Sequence, residues 1–390
     1  MVIAPKLGVW MEREMAVPEQ STGTDPVYGV MICGHGSRSK SAVTEFAVLA
    51  EKLAPIFPDW PVQYGYLEFA TPVINTGLDK LRAKGVTHVL AVPGMLFAAG
   101  HAKNDIPSVL LTYQEKNPGL KISYGRELGL HSEMIAAFEA RILESLNVDH
   151  IHEGDLYETM LVVVGRGTSD TYANAEAAKL TRIVAENLGF GWSETVYSGV
   201  TFPSVGQGLE IALRLGYKKI VVAPYFLFSG KLIDRIYNYV DLVAEKATDV
   251  TFYKAHYLSD QDHVINTFVE RIAETESGNM EENHDLMASF KERLSLGEVD
   301  IHHHHAEYQP FTDPEDDQFP GGKDHCDDHS HGHSHDHSHG HSHGVYKHIA
   351  HPNGPRTMID QGVCGCFMGQ FPDYVVEEER KLIAQRKVNG

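Results

Sequence analysis

Short apolar runs alternate with segments of helical periodicity along the first 270 residues or so. The runs Gly29–Cys33 and Leu161–Val164 are each followed by glycine. Continuous apolar runs of this length are typical of strands that are buried on both faces of a parallel sheet. A helical pattern follows each run, at 41–53 and at 172–188. The alternation predicts an α/β fold, with parallel sheets covered by helices on both faces.

The pattern occurs twice, and the two copies are 131 residues apart. Gly34 and Gly36 of the first copy correspond to Gly165 and Gly167 of the second. More glycines and prolines match at the same offset: Pro72 with Pro203, Gly77 with Gly208, Gly85 with Gly216, and Pro93 with Pro224. Because so many turn-forming residues coincide at one offset, we predict a tandem duplication.

The duplication divides the chain into five predicted segments. They are an N-terminal extension at 1–26, a first repeat at 27–150, a second repeat at 158–272, an acidic His-rich tail at 273–355, and a Cys-containing segment at 356–390. We predict that each repeat forms one flavodoxin-like lobe. Within this tail, the pattern at 281–296 predicts one more helix, whereas 298–355 is too polar to bury a core, which predicts disorder.

Acidic residues and histidines are concentrated in the tail. The chain has 390 residues and a net charge of −20, and 14 of these excess negative charges lie between 274 and 336. Of the 24 histidines, 15 lie between 302 and 351. The negative balance argues against general binding of nucleic acid. Four cysteines are too few for a disulfide framework, and neither a signal peptide nor a bilayer-spanning stretch is visible. We therefore expect a cytoplasmic protein without a membrane partner.

Metal-binding side chains stand at predicted strand ends in the first repeat only. The three pairs, with the first repeat named before the second, are His35 and Arg166, Glu68 and Gly199, and His101 and Lys231. The third pair requires the second repeat to lack one residue, which sets Gly100 opposite Gly230. Two imidazoles and a carboxylate form a ligand set for a divalent cation, and the carboxylate also accepts protons. A single histidine beside glycines is usually structural, but three coincident positions favour a metal site.

The segments around these side chains resemble the sirohydrochlorin chelatases. They read Cys-Gly-His-Gly-Ser-Arg at 33–38, Tyr-Leu-Glu-Phe-Ala-Thr-Pro at 66–72, and Val-Pro-Gly-Met-Leu-Phe-Ala-Ala-Gly-His at 92–101. The resemblance covers about 27–272. It is greatest to the long, two-repeat cobaltochelatases of cobalamin biosynthesis, which also have a His-rich tail followed by a cysteine motif.

The resemblance implies the class II chelatase fold, in which two similar α/β lobes enclose a central cleft. It also implies lyase-type insertion of Co²⁺, or in relatives of Fe²⁺ or Ni²⁺, into sirohydrochlorin. It also implies that His35 and His101 bind the metal and that Glu68 is the family's carboxylate. Because sirohydrochlorin carries many carboxylates, cations are expected to line the cleft. The candidate substrate-binding residues are Arg38, Lys103, Arg166 and Lys231. Each of them has the alternative interpretation of a solvated surface charge.

Two features near the C-terminus suggest further metal binding. Cys364 and Cys366, together with Cys326, are candidate ligands of an iron–sulfur cluster, which two chains of a dimer could share. A simple thiolate metal site and a redox pair are the alternatives. The tail histidines, mostly at i, i+2 spacing, predict a reservoir for Co²⁺, Ni²⁺ or Zn²⁺, and an idle linker is the alternative.

Two other functions fit parts of the sequence. A sirohydrochlorin ferrochelatase for sirohaem would use the same ligands, since Co²⁺ and Fe²⁺ both accept imidazole and carboxylate. A non-enzymatic metal storage or delivery protein would explain the tail, but not the strand-end side chains of one repeat. We expect an enzyme whose partners are sirohydrochlorin and a divalent metal. A dimer is required only if two chains share a cluster.

Overall fold

A computed structural model describes residues 25–37, 39–199, 201–278 and 285–299. They contain two four-stranded sheets in which every strand pairing is parallel. The strands are β1 (Tyr28–Gly34), β2 (Val62–Tyr66), β3 (His88–Pro93), β4 (Lys121–Tyr124), β5 (Thr159–Gly165), β6 (Trp192–Tyr197), β7 (Lys219–Pro224) and β8 (Thr251–Lys254). The predicted α/β fold with two tandem lobes is confirmed.

The strand order is the same in both sheets and creates a crevice in each. The orders are β2-β1-β3-β4 and β6-β5-β7-β8. The chain moves from β1 outward to β2 and then returns to the other side of β1 to form β3. Crossover connections therefore leave the carboxyl ends of β1 and β3 in opposite directions, and ligands of open α/β sheets bind in the crevice between them. The central strands are buried on both faces, and Val30, Met31 and Ile32 are fully inaccessible to solvent.

Helices connect the strands and cover the sheets. They are α1 (Lys40–Leu53), α2 (Ile74–Ala83), α3 (Ile106–Lys116), α4 (Ser132–Leu146), α5 (Thr171–Leu188), α6 (Val205–Arg214), α7 (Lys231–Ala244), α8 (Asp262–Ser277) and α9 (Leu286–Ser295). One turn of π-helix, His101–Asp105, leads directly into α3 and is called the π turn below. No helix in the four described ranges is both long enough and apolar enough to cross a bilayer.

The last helix of each repeat packs on the sheet of the other lobe. Helix α4 follows β4 but contacts β7 and β8. Helix α8 follows β8 but contacts β3, β4 and α1. Phe138 of α4 and Phe268 of α8 belong to a single apolar core that includes strands of both sheets. A repeat of the sequence therefore does not coincide with a lobe of the structure, and the two lobes share a core.

Helix α9 lies outside both repeats and packs on the first lobe. It contacts α3, β4 and the π turn. Leu286 and Phe290 are its buried residues. Asp285 caps its N-terminus by accepting a hydrogen bond from the Ala288 N–H at 2.8 Å, which satisfies one of the unpaired donors at a helix start. The helix is thus fixed beside the carboxyl end of β3.

Candidate metal centre

Three neighbouring strands of the first lobe deliver the predicted metal ligands to one point. His35 directly follows β1, Glu68 follows β2, and His101 opens the π turn after β3. One ligand atom from each of these side chains lies within 4.8 Å of the others. The side chains of His35 and Glu68 are 22% and 24% exposed, and that of His101 is 30% exposed. The three ligands are therefore adjacent to one another at the predicted crevice and accessible to a metal ion.

Hydrogen bonding fixes the orientation of the His35 imidazole. Its Nδ1 lies 2.9 Å from the Gly36 carbonyl oxygen. A proton on Nδ1 that donates to this oxygen leaves the Nε2 lone pair unprotonated. Nε2 lies 3.3 Å from the Oε1 atom of Glu68, and the rings of His35 and His101 meet edge to face with centroids 4.3 Å apart. The imidazole of His35 is thus oriented toward the other two ligands.

Asp105 orients His101, and the sequence analysis did not identify it. His101 Nδ1 lies 2.7 Å from Asp105 Oδ2, and the aspartate side chain is only 7% exposed. A carboxylate on one ring nitrogen fixes the tautomer and makes the other nitrogen a stronger ligand. The signal was present as a histidine and an aspartate four residues apart, because such residues share one face of a helix.

Gly36 allows the ligand-bearing loops to meet. Its φ is +95°, and a Cβ at this position would lie 1.6 Å from the carbonyl oxygen of Glu68. The Glu68 N–H donates to the carbonyl oxygen of His35 at 3.0 Å, so the parallel pairing of β1 and β2 continues past both strands. Only glycine fits both the left-handed backbone and this close approach. The glycine between His35 and Ser37 therefore brings Glu68 beside His35.

The hydrogen bonds at the start of the π turn change the alignment of the two repeats at His101. The Lys103 N–H donates to the Ala99 carbonyl oxygen at 2.9 Å, and the Asp234 N–H donates to the Gly230 carbonyl oxygen at 3.3 Å. These first helical hydrogen bonds make Ala99, and not Gly100, the equivalent of Gly230.

The numbers of equivalent residues in the two lobes therefore still differ by 131 where the helices after β3 and β7 begin. They differ by 130 at β4 and β8, so the additional residue of the first lobe lies within the helix between β3 and β4. A π turn contains one residue more than an α-helical turn. The pairing of His101 with Lys231 was wrong, because His101 corresponds to Leu232.

Neutral polar groups occupy the matching edge of the second lobe. The Thr168 N–H donates to Asn174 Oδ1 at 3.1 Å and to Thr201 Oγ1 at 3.0 Å. Asn174 Nδ2 donates to the Thr168 carbonyl oxygen at 2.8 Å. A Cβ on Gly199 would lie 2.4 Å from the Arg166 carbonyl oxygen, so a counterpart of Glu68 does not fit there. Within the described ranges, the set in the first lobe is the one group of three side chains able to hold a metal ion.

Arg166 brings positive charge from the second lobe toward the metal ligands. Its side chain is exposed, yet the surrounding protein desolvates the guanidinium enough to lower its pKa, while the charge of Glu68 raises it. The guanidinium stays charged at neutral pH, since its pKa starts far above 7. The charge of Glu68 thus favours the charged form of Arg166, which directly follows β5 at the matching strand end of the second lobe.

Lys103 joins the two lobes. Its Nζ forms a salt bridge with Asp170 Oδ2, and the aspartate side chain is 6% exposed. Asp170 also caps α5, since its Oδ1 accepts hydrogen bonds from the Tyr172 N–H at 3.0 Å and the Ala173 N–H at 3.3 Å. Lys103 is thus paired with a carboxylate of the protein, which competes with the predicted contact to a substrate carboxylate.

Glu45 of α1 provides a second tie between the lobes. Its Oε2 accepts a hydrogen bond from the Ser229 N–H at 2.7 Å, and its Oε1 accepts one from the Tyr257 hydroxyl at 2.9 Å. Lys231, another predicted substrate-binding residue, is the exposed first residue of α7 and follows this loop directly. The carboxylate therefore fixes the position from which Lys231 extends.

Several sequence predictions lie outside the described residues. They concern Arg38, Cys326, Cys364, Cys366 and the tail histidines at 302–351. Cys33, by contrast, is buried in β1, and burial raises the pKa of its thiol far above the usual range. A thiol that stays protonated is a poor nucleophile and a poor metal ligand. Cys33 is therefore part of the core.

Comparison with known proteins gives consistent matches over both repeats. The family model CbiX matches residues 29–145 and 160–275. A sirohydrochlorin cobaltochelatase of Priestia megaterium is 34% identical over 278 residues, which cover 70% of this chain and 87% of that protein. A sirohydrochlorin ferrochelatase of the same organism is 30% identical over 252 residues, which cover 64% of this chain and 91% of that protein.

Two solved structures match both lobes. SirB from Bacillus subtilis with Fe³⁺ has a TM-score of 0.58 and 27% identity, covering 66% of this chain and 99% of that chain. The sirohydrochlorin chelatase SirB from Bacillus subtilis subspecies spizizenii in complex with cobalt has a TM-score of 0.54 and 26% identity, covering 66% and 99%. The two-lobed architecture is thus common to this chain and to proteins solved with two different transition metals.

Proposed function

The chain belongs to the CbiX family, and from this premise we propose that it is a sirohydrochlorin cobaltochelatase that inserts Co²⁺ into sirohydrochlorin in cobalamin biosynthesis. The observation that carries the proposal is the convergence of His35, Glu68 and His101 within 4.8 Å at the strand ends of one lobe. The relative with 34% identity has the same activity in its name and matches 87% of its length. The family resemblance predicted from the sequence is confirmed.

The ligand set suits transfer of a metal rather than its permanent retention. The Nε2 atoms of His35 and His101 hold a partly dehydrated Co²⁺, since neutral imidazole is a good ligand for this ion. Few protein ligands leave coordination positions for the nitrogens of the macrocycle. Asp105 keeps the Nδ1 of His101 protonated, so that its Nε2 remains the ligand atom. Asp105 is therefore a positioning residue in this mechanism.

Insertion releases two protons from the pyrrole nitrogens as one Co²⁺ enters, and no electron is transferred. Glu68 accepts these protons in turn, because its carboxylate lies 3.3 Å from His35 Nε2 and is 24% exposed. Its partial exposure lets each proton pass on to water. The carboxylate also offsets the positive charge of the metal before the macrocycle neutralises it.

The side-chain carboxylates of sirohydrochlorin bind cations that face the cleft. Arg166 is the strongest candidate, because it is exposed and close enough to Glu68 to interact with its charge. Its guanidinium forms paired hydrogen bonds with a carboxylate. Lys231 is a second candidate on the same lobe. Lys103 contributes only if its salt bridge with Asp170 opens, and Arg38 was predicted from the sequence alone.

Ferrochelation is the alternative within the same reaction class. The ferrochelatase relative of Priestia megaterium is 30% identical, and one SirB structure contains Fe³⁺. Imidazole and carboxylate ligands accept both metals. We favour cobalt because the cobaltochelatase relative is more similar and is matched over more of this chain.

The test is metal insertion followed by visible absorption. Wild-type protein is incubated with sirohydrochlorin and with Co²⁺, Fe²⁺ or Ni²⁺ under anaerobic conditions. We expect the fastest spectral change with Co²⁺, and we expect His101→Ala to abolish it. His152→Ala removes an exposed histidine far from the site in sequence and serves as the control. Faster insertion of Fe²⁺ would indicate a ferrochelatase, and no insertion of any metal would indicate a storage or delivery protein. Wild-type turnover by the His101→Ala variant would contradict the assignment of the site.

The proposal extends to the His-rich tail, which collects Co²⁺ for the catalytic site. Imidazoles bind such ions with little geometric selectivity, and tethering raises the metal concentration near the site. Deletion of 302–343 should leave insertion unchanged when Co²⁺ is plentiful and slow it when Co²⁺ is scarce. Equal rates of the deletion variant and wild type in both regimes would contradict the reservoir.

A cluster at Cys364 and Cys366, with Cys326 or a second chain completing the thiolate set, is a separate proposal. Protein purified without oxygen would then be brown and absorb at about 400 nm, as iron–sulfur proteins do. Colourless protein without bound iron would contradict it.

The segment boundaries at 27–150 and 158–272 and the cytoplasmic location also remain proposals from the sequence.

A further inference from the structure

The π turn leaves two of its carbonyl groups without their α-helical donors. The Ile106 N–H, which would bond to Ala102 in an α-helix, donates to the carbonyl oxygen of His101. Pro107 stands where the α-helical donor to Lys103 would be, and proline has no N–H. Buried carbonyl groups need a hydrogen-bond partner, so the π turn depends on donors from elsewhere.

Two side chains from other elements supply these donors. The hydroxyl of Tyr124, the last residue of β4, donates to the Ala102 carbonyl oxygen at 3.0 Å. Tyr124 is 2% exposed, and burial raises the pKa of its hydroxyl, so the hydroxyl stays protonated and can donate. Arg293 of α9 donates from Nη2 to the Lys103 carbonyl oxygen at 2.8 Å and from Nη1 to Asn104 Oδ1 at 2.6 Å. Both carbonyl groups are thereby satisfied.

We propose that Tyr124 and Arg293 are positioning residues, which stabilise the π-helical form of the turn and thereby direct His101 toward the metal. In the second lobe, α7 begins as an α-helix at Lys231, and within the described residues it contributes no side chain to a group of three that could hold a metal ion. If the first-lobe turn relaxed to an α-helix, the register of its residues would shift by one. A shift of one residue rotates a side chain about 100° around the helix axis, which would separate His101 from His35. Helix α9 is thus part of the metal site, although it lies outside both repeats.

The experiment measures Co²⁺ binding and turnover in Tyr124→Phe and Arg293→Gln. The first removes only a hydroxyl, and the second removes the charge and one arm of the guanidinium. We expect the Kd for Co²⁺ alone to rise about tenfold in each, the typical effect of losing a hydrogen bond behind a metal ligand. The KM for Co²⁺ should rise in parallel, with the KM for sirohydrochlorin unchanged. Arg293→Lys keeps a charged donor and should recover part of the affinity.

Two matched variants control for loss of a hydroxyl and of a surface charge. Tyr113→Phe removes a hydroxyl of α3 that donates to Asp79 Oδ1 at 2.6 Å, and Lys291→Ala removes an exposed charge of α9. Both should bind Co²⁺ as the wild type does. The proposal is overturned if Tyr124→Phe and Arg293→Gln, measured on folded protein, bind Co²⁺ with wild-type affinity. It is also overturned if kcat falls with the folded fraction while the Kd and KM for Co²⁺ do not change.

This inference rests on the proposed function only for its turnover readout. Binding of Co²⁺ to the protein without sirohydrochlorin tests the π turn directly. A wild-type protein that binds Co²⁺ but inserts none would contradict the proposed function and leave the positioning role measurable. A wild-type protein that inserts Co²⁺, with variants that bind it normally, would contradict the positioning role alone.

Discussion

The two lobes have the same strand order and differ at the edge where the strands end. The first lobe has His35, Glu68 and His101 at this edge, all within 4.8 Å. The second has Arg166 beside a network of neutral hydrogen bonds formed by Thr168 and its neighbours. One scaffold thus carries three potential metal ligands in one lobe and a cation at the matching edge of the other. Under the proposed function, the duplication separates two tasks that conflict at a single site, since cations weaken metal binding.

The difference originates in the backbone as well as in the ligands. In the first lobe, Gly36 makes room for the backbone of Glu68. In the second lobe, the Cβ of any side chain at Gly199 would meet the Arg166 carbonyl oxygen. The helix after β3 contains a π turn, whereas α7 after β7 is α-helical from its first residue. Replacing ligands alone would therefore not convert one lobe into the other.

Alanine substitution of the equivalent residues His35 and Arg166 should give the largest effect on the kinetic constants of metal insertion. His35→Ala removes a metal ligand, and we expect kcat/KM for Co²⁺ insertion to fall at least about a hundredfold. Arg166→Ala removes a cation from the matching position, and we expect the KM for sirohydrochlorin to rise about tenfold. Binding of Co²⁺ alone, measured by calorimetry, should be lost in the first variant and retained in the second. Loss of Co²⁺ binding in both variants would contradict the assignment of metal binding to the first lobe alone.

Alanine at Gly199 should destabilise the second lobe. Its Cβ would lie 2.4 Å from a backbone oxygen, so the strand-end loops must separate. We expect a loss of about 3 kcal/mol in the free energy of unfolding, measured with denaturant. Gly216→Ala is the control, because its φ is +82° but its Cβ meets no atom within 4 Å, and it should cost about 1 kcal/mol. Equal losses in the two variants would mean that the clash relaxes without cost.

The Lys103–Asp170 pair should contribute stability rather than substrate affinity. Asp170→Asn keeps a side chain that can cap α5 and removes the charge, whereas Lys103→Ala removes the other partner. We expect each to reduce the free energy of unfolding by about 1.5–3 kcal/mol, the usual value for a hydrogen bond to a charged group. The KM for sirohydrochlorin should change less than about threefold, well below the effect of losing a bidentate contact. A large rise in KM for Lys103→Ala alone would restore its predicted role as a substrate ligand.

The smallest expected effect is on the pH dependence of stability. It comes from the start of β3, at the end of the sheet opposite to the candidate metal centre. His88 of β3 is buried, and this burial, with a smaller effect of the Lys121 charge, lowers its pKa. The matching residue of the second lobe is Lys219, which is exposed. As pH falls below the unfolded value of about 6.5, the unfolded chain binds the proton first, so stability is lost until the native pKa is reached. The wild-type Tm should therefore fall more between pH 7 and pH 5 than that of His88→Gln.

An equal decrease of Tm in the two proteins would show that His88 does not couple folding to pH. Because the other histidines are common to both, their contributions cancel in the comparison. The new glutamine side chain offers an amide nitrogen to Ser123, whose hydroxyl lies 2.8 Å from His88 Nε2 in the wild type. The variant therefore removes the titration and keeps a hydrogen-bonding group.

The amino-acid sequence by itself determined the α/β fold, the duplication, and the three side chains that meet at the first-lobe edge. Each of these follows from local period and strand register, because a residue that directly follows a parallel strand lies at the carboxyl edge of its sheet. His35 and Glu68 could be assigned to that edge without any knowledge of what packs around them.

Only the tertiary structure decided the exchange of α4 and α8, the π turn, the pairing of Lys103 with Asp170 and the contact of Arg293 with the π turn. The alignment of His101 with Lys231 was wrong for the same reason, since the sequence indicates that the first repeat has one residue more but not that this residue lies within a helix. These features join groups that lie far apart along the chain or depend on which carbonyl accepts an N–H. Their positions are set by packing and by the need to satisfy every buried polar group, which no local pattern records.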